Sequence, residues 1–156
     1  MPTSPRGDNM ETRKHTRLKA YDYSQNGYYF ITVCTKDKQK ILCKIVGDDA
    51  HIVPTQYGTV VETFLKTIPG IDKYVIMPNH IHMIVKNESG TMWASSPTVS
   101  QKIKSFKILV TKTVGIPIFQ RSFYDHVIRD EEDYLRIWEY IENNPAKWTE
   151  DQYFID

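Results

Sequence analysis

The stretch Ile71-Asp-Lys-Tyr-Val-Ile-Met-Pro-Asn-His-Ile-His-Met-Ile-Val-Lys86 decides the fold class. Aromatic, β-branched and other apolar residues lie on both sides of Pro78-Asn79, a pair suited to a tight turn. The pattern predicts a hairpin, with antiparallel strands over 71–77 and 80–86. Side chains alternate along a strand, so His80 and His82 share one face, about 7 Å apart at Cα, while Ile81 and Met83 share the other.

Working outward, Tyr57, Val60, Val61, Phe64 and Leu65 recur at helical spacing between Pro54 and Pro69-Gly70, which predicts a helix before the hairpin. Upstream of it, Gly27-Tyr-Tyr-Phe-Ile-Thr-Val-Cys-Thr35 is dense in aromatic and β-branched residues and reads as a central strand. Residues 41–53, with apolar patches around Gly47-Asp-Asp49, suit a small peripheral hairpin. After the histidine strand, 87–96 is a polar loop. Val99, Ile103, Phe106, Leu109, Val110 and Val114 then mark a second helix ending at Gly115. An extended segment lies within 116–129, and Asp130-Glu-Glu-Asp133 opens a third helix whose apolar stripe is Tyr134, Ile137, Trp138 and Ile141. Asn144-Pro145 ends it. The order is β-α-β-β-α-β followed by a helix. It predicts an α+β chain with a ferredoxin-like split βαβ layout: an antiparallel sheet, helices on one face, and a C-terminal helix added.

The chain has 156 residues, 40% hydrophobic and 25% charged, which suits one globular domain and excludes wholesale disorder. Residues 1–16, rich in Pro, Ser, Gly, Asn and charge without periodicity, read as a loosely ordered basic arm, and 17–156 as the single domain. No apolar run approaches the ~18 residues of a membrane helix, and the amino-terminal residues lack the apolar core of a signal peptide. The expected location is the cytoplasm, and no membrane partner is expected. Cys34 and Cys43 form neither a metal-binding pair nor a disulfide framework. A net charge of +1 conceals strong local imbalance. Residues 1–44 carry +5, 45–98 carry −2, 99–121 carry +5 without a single acidic residue, and 122–156 carry −7. Two basic stretches in a near-neutral chain fit a polyanion surface, and equally a solvated charged surface.

Two imidazoles on one strand face can converge on a divalent ion, since neutral histidine is a common metal ligand. The same pair also suits two hydrogen-bonded histidines on an open sheet face, and a third ligand distinguishes the two. The last helix supplies candidates. Tyr140 and Asn144 lie four apart on one side, with Arg136 one turn earlier. At about 100° per residue, Tyr140 falls roughly 110° from the centre of the apolar stripe, so the core does not require it. A phenol with a pKa near 10 needs a base or a nearby positive charge to act as a nucleophile, and its electrophile needs polarising.

Four stretches, in order, resemble one family. Tyr74-Val-Ile-Met-Pro-Asn-His-Ile-His-Met-Ile-Val85 resembles the His-hydrophobe-His strand of the HUH endonucleases, specifically the single-tyrosine transposases of small insertion sequences. Ser105-Phe-Lys107 with Thr111, Phe119-Gln-Arg-Ser-Phe-Tyr-Asp-His-Val-Ile-Arg-Asp130 and Tyr140-Ile-Glu-Asn-Asn-Pro145 extend the likeness. The nearest group is the REP-associated tyrosine transposases. The resemblance implies that His80 and His82 bind Mg²⁺ or Mn²⁺, with Asn144 completing the metal site and Tyr140 as nucleophile. It implies attack on a single-stranded DNA phosphate beside a palindromic hairpin, leaving a 5′-phosphotyrosine and a free 3′-hydroxyl. Monomers and homodimers both occur in such a group. Lys102, Lys104, Lys107 and Lys112 on the second helix, with Arg121 and Arg129 flanking the last extended segment, are candidates for phosphate contacts. Tyr124 and Trp93 are candidates for stacking on unpaired bases, and His126 for DNA binding or for a structural hydrogen bond. The alternative function is a domesticated protein that binds hairpins or single-stranded DNA without cutting.

Overall fold

Central to the architecture is the strand Gly27–Cys34 (β1), whose aromatic and β-branched residues pair on both sides. The structure, a computed structural model, describes residues 27–87 and 97–155. The arm assigned to 1–16, most of the 87–96 loop and Trp93 lie outside the described residues. In chain order there follow β2 (Cys43–Val46), β3 (His51–Pro54), α1 (Gln56–Leu65), β4 (Ile71–Met77), β5 (His80–Asn87), α2 (Val99–Val114), β6 (Tyr124–Ile128) and α3 (Glu131–Asn143). Short 3-10 turns cover Lys36–Lys38 and Pro145–Glu150.

Strands β4, β5, β1 and β6 form one antiparallel sheet in that spatial order, while β2 and β3 make the separate peripheral hairpin. This is the split βαβ arrangement expected from the sequence. The β4–β5 turn sets Met77 opposite His80 and Val75 opposite His82. Across the next ladder His82 faces Thr32 and His80 faces Cys34.

The period of two divides the sheet into two faces. Tyr29, Ile31, Val33, Ile81, Met83 and Val85 bury one face against Val61 and Leu65 of α1 and Ile103, Phe106 and Val110 of α2. On the other face Val75, Met77, Ile84 and Ile128 pack against Ile137 and Ile141 of α3. The two crossover helices therefore share one face and α3 covers the opposite one, the face that carries the histidines.

Helix boundaries follow capping chemistry. Thr55, rather than Pro54, caps α1 through its side chain, and Pro54 closes β3. Thr98 and Gln101 form a reciprocal capping box at α2, and Gly115 ends that helix with φ 92°, a conformation that suits glycine. Asp130 caps α3 by accepting from the Asp133 amide. Gly58 is required by close approach, since a Cβ there would lie 2.0 Å from the Leu42 carbonyl oxygen. Two residues assigned to core stripes are surface residues instead. Leu109 lies about 80° off the Val99–Ile103–Phe106–Val110 line and is exposed, and exposed Trp138 carries the Lys73 ammonium over its ring at 3.8 Å.

Candidate active site

His80 and His82 are fully or almost fully buried on the α3 face of β5. Each ring is held by its Nδ1. His82 Nδ1 lies 2.8 Å from Thr32 Oγ1 on the neighbouring strand, and His80 Nδ1 lies 2.8 Å from Asn79 Oδ1 in the hairpin turn. The second contact fixes a tautomer. Asn79 Nδ2 donates to the Tyr153 carbonyl at 2.7 Å, so its Oδ1 must be the atom facing the imidazole, and an amide oxygen only accepts. His80 therefore donates from Nδ1 and carries its lone pair on Nε2, a buried atom with no hydrogen-bond partner. Such support of the far nitrogen is the usual way a metal-ligating histidine is oriented.

Beyond Asn143 the chain does not continue as a regular helix. Pro145 removes an amide donor, and the 3-10 turn Pro145–Glu150 folds the carboxyl-terminal residues back over the sheet. This return brings the buried Asp151 side chain to the histidines, its Oδ2 3.6 Å from His80 Nε2. Asn144, at the end of α3, donates from Nδ2 to Asp151 Oδ2 at 3.1 Å, and its own Oδ1 is buried without a hydrogen-bond partner. One donor atom from each of His80, His82 and Asp151 lies within 4.8 Å of the others. Two imidazole nitrogens, a carboxylate and an orphaned amide oxygen form a mixed N/O set that suits a divalent cation such as Mn²⁺ or Mg²⁺. The two unpartnered buried acceptors, His80 Nε2 and Asn144 Oδ1, are the observation on which that fit rests.

Electrostatics agree. Burial pushes the His80 pKa down to about 4, against the opposing charge of Asp151 and the nearby polar side chain of Asn144. Burial, and secondarily His80, holds His82 well below the ordinary histidine range. Both rings are neutral at pH 7, so the His80–Asp151 approach is a contact between a carboxylate and a neutral ring rather than an ion pair.

Tyr140 lies on the flank of α3 away from Ile137 and Ile141, and 42% of its surface is exposed. Its hydroxyl is 3.5 Å from His82 Nε2, and its ring stands edge-on to Phe30 with centroids 6.1 Å apart. Burial and then the charge of Asp151 raise the phenol pKa, while the nearby polar side chain of Asn144 opposes them. The protonated phenol thus sits at the mouth of the histidine cluster. Two clefts open beside it, one of about 660 Å³ toward β6 and one of about 530 Å³ toward Lys147 and Glu150.

Tertiary structure brings His80, His82, Tyr140 and Asn144 together and adds Asp151, Asn79, Thr32 and Tyr153, none of which sequence patterning marked. Asp151 lies past a helix-ending proline, where periodicity carries no information. The Tyr153 ring packs over His80 with centroids 4.5 Å apart. The six basic candidates divide. Lys102 is 8% exposed and donates to the Pro69 carbonyl at 2.9 Å, and Lys107 donates to the carbonyls of Gln120, Arg121 and Ser122. Both ammoniums are engaged by backbone carbonyls of the fold, and Lys107 also lines the groove described next. Lys104, Lys112 and Arg121 line a groove of about 600 Å³ beside Phe123 on the α2 side, and Arg129 lies apart from them at the far end of β6. His126 Nε2 lies 2.9 Å from Asp133 Oδ2, and Arg136 engages the other carboxylate oxygen, Oδ1.

No family model matches the chain. An uncharacterized protein of Haemophilus influenzae is 33% identical over 92% of this chain and 94% of its own length. A REP-associated tyrosine transposase of Escherichia coli K12 is 25% identical over 80% of this chain and 70% of its own. The fold is shared with a solved REP-associated tyrosine transposase bound to a REP hairpin, with a TM-score of 0.63 at 22% identity, covering 84% of this chain and 73% of that one. Over most of its length the chain is similar in sequence to relatives named REP-associated tyrosine transposase, and it shares the fold of the solved one.

Proposed function

We propose that this chain is a metal-dependent single-stranded DNA transposase that cuts and rejoins DNA next to hairpins through Tyr140. The single observation that carries the reading is the meeting of a half-exposed phenol with a buried set of lone pairs: Tyr140 3.5 Å from His82, beside the orphaned His80 Nε2 and Asn144 Oδ1. A structural histidine in a core would be satisfied by protein partners at both nitrogens, and His80 is hydrogen-bonded only at Nδ1. His80, His82 and Asp151 would hold the cation, with Asn144 at its edge. A bound Mn²⁺ or Mg²⁺ supplies charge neutralisation at a phosphate.

The chain's own residues do the rest. Phe30 packs edge-on against the Tyr140 ring and limits its swing, and α3 anchors the tyrosine through Ile137 and Ile141. The Tyr140 oxygen attacks phosphorus, the bond to the 3′-oxygen breaks, the phenol proton is released and the departing 3′-oxygen takes up a proton. The product is a 5′-phosphotyrosine and a free 3′-hydroxyl, and the covalent bond conserves the energy for rejoining. Reversal on a different 3′-hydroxyl completes strand transfer without a nucleotide cofactor. Lys104, Lys112 and Arg121 are suited to positioning a duplex stem by its phosphates.

The test is incubation with Mn²⁺ or Mg²⁺ and labelled hairpin oligonucleotides carrying single-stranded flanks from around the gene, followed by denaturing electrophoresis. A metal-dependent protein–DNA adduct, absent in Tyr140→Phe, is the expected result. Tight hairpin binding with no adduct in either metal would replace the reading with that of a non-cutting hairpin-binding protein.

A further inference from the structure

Helix α3 packs over β4 and β5 and reaches the β1–β6 half of the same face through Ile128 and the His126–Asp133 hydrogen bond, and a cleft remains on that half next to Tyr140. The strand register sets out what lies there. Thr32 of β1 pairs with His82 on one side and Tyr124 on the other, and Phe30 pairs with Ile84 and His126. Tyr124 and His126 therefore project from the same face as the histidine cluster, and Tyr124 lies about 10 Å across two strand spacings from His82. Between them is the 660 Å³ cleft, lined by Phe30, Tyr140, Tyr153 and Lys38 as well as by these two residues. A cleft of that size accommodates a small organic group.

Its lining is unlike that of a packing defect. Tyr124 is 49% exposed, which leaves an aromatic face open to a ligand. His126 is fixed by Asp133 at Nε2, and among the described residues Nδ1 has no hydrogen-bond partner. Lys38 contributes a cation at the rim, 6.0 Å from the Tyr153 ring centroid. Flat aromatic surface, one fixed polar edge and a rim cation together match an unpaired nucleotide, with base stacking, edge hydrogen bonding and phosphate attraction supplied separately.

We propose that this cleft seats one unpaired nucleotide flanking the phosphate presented to Tyr140, with Tyr124 as its stacking surface and His126 contacting its base edge. The inference rests on the single-stranded DNA reading of the site and adds a position-specific base pocket to it. Tyr124 and His126 are specificity-determining residues, and neither takes part in bond making.

The test is an abasic scan. Oligonucleotides with a hairpin and a single-stranded flank, each lacking the base at one successive flank position, are compared for binding by fluorescence anisotropy and for adduct formation with Mn²⁺. Wild type is expected to lose about tenfold in affinity at one flank position. Tyr124→Ala is expected to show that loss with every oligonucleotide and to be insensitive to the abasic site, whereas Tyr124→Phe keeps the wild-type profile. His126→Ala is expected to reduce discrimination among the four bases at that position only. A flat wild-type profile, with adduct formed, would overturn the pocket and leave the cutting reaction intact. A position-specific profile without any adduct would support the pocket and overturn the cutting reaction. Absence of DNA binding would overturn both.

Discussion

The two faces of the four-stranded sheet use the same strands for opposite ends. Against α1 and α2 the face is an apolar interlock of Ile31, Val33, Ile81, Met83, Ile103 and Phe106, all buried. Against α3, the alternate residues of the same strands include His80, His82 and Thr32, buried beside Val75, Met77 and Ile84. A buried acceptor without a partner costs about 1–3 kcal/mol. The first face supplies the stability that lets the second keep two such acceptors in place. The difference marks the candidate site, because among the described residues it is the α3 face that buries two imidazoles side by side.

The comparison breaks most sharply at Tyr140. Its replacement by Phe removes one oxygen from a half-exposed ring, so adduct formation should fall by about 1,000-fold or more while the thermal midpoint stays within a few degrees, read by electrophoresis and calorimetry together. A large loss of stability would count against the division into faces. On the apolar face the effects should invert. Phe106→Ala should cost about 3–5 kcal/mol in denaturant unfolding, and the protein that stays folded should retain its metal response.

Metal addition sharpens the other side. Mn²⁺ binding only the native state should raise the thermal midpoint at neutral pH, by roughly 3 kcal/mol of stabilisation at a hundredfold excess over Kd. His80→Ala should abolish the shift and Asp151→Asn should weaken it, whereas Asn79→Ala should lower affinity by about tenfold or more through loss of ring orientation. A full shift in Asp151→Asn would remove that carboxylate from the ligand set. Acidification of the metal-free protein tests the same cluster. The folded pKa of His80, about 4, lies below the ordinary 6.5, so the unfolded chain takes up the proton first. The stability owed to the neutral ring is complete above pH 6.5 and is lost as pH falls toward 4, a change of order 3 kcal/mol measurable by urea titration at each pH.

The smallest effects belong to the α2 groove. Lys104→Ala, Lys112→Ala and Arg121→Ala should each weaken hairpin binding a fewfold and reduce the salt dependence of log K by about one unit. Lys107→Met should act differently, lowering stability with little change in salt slope, because its ammonium ties down the carbonyls of Gln120, Arg121 and Ser122. Equal salt-slope changes in all four variants would erase the distinction between the two kinds of lysine.

Much of this was legible in the residues themselves, for a physical reason. Alternation in β5 put His80 and His82 on one face, helical spacing put Tyr140 and Asn144 on one flank of α3, and both follow from backbone periodicity alone. The hairpin turn at Pro78-Asn79 and the cap at Asp130 are local too. Periodicity does not reveal partners distant in sequence. It marked Trp138 as core and Lys102 as a surface cation, where the fold exposes the indole and buries the lysine against Pro69.

The sequence by itself determined the order of elements, the two sheet faces, and that His80 shares a face with His82 and Tyr140 a flank with Asn144, because each depends on repeats of two or 3.6 residues. Only the tertiary structure decided that α3 lies on the histidine face, that Asp151 returns past Pro145 to the imidazoles, and that Asn79 sets the tautomer of His80. Those are contacts between segments with no shared period, fixed by how the apolar surfaces close on one another and by which buried lone pairs find a partner.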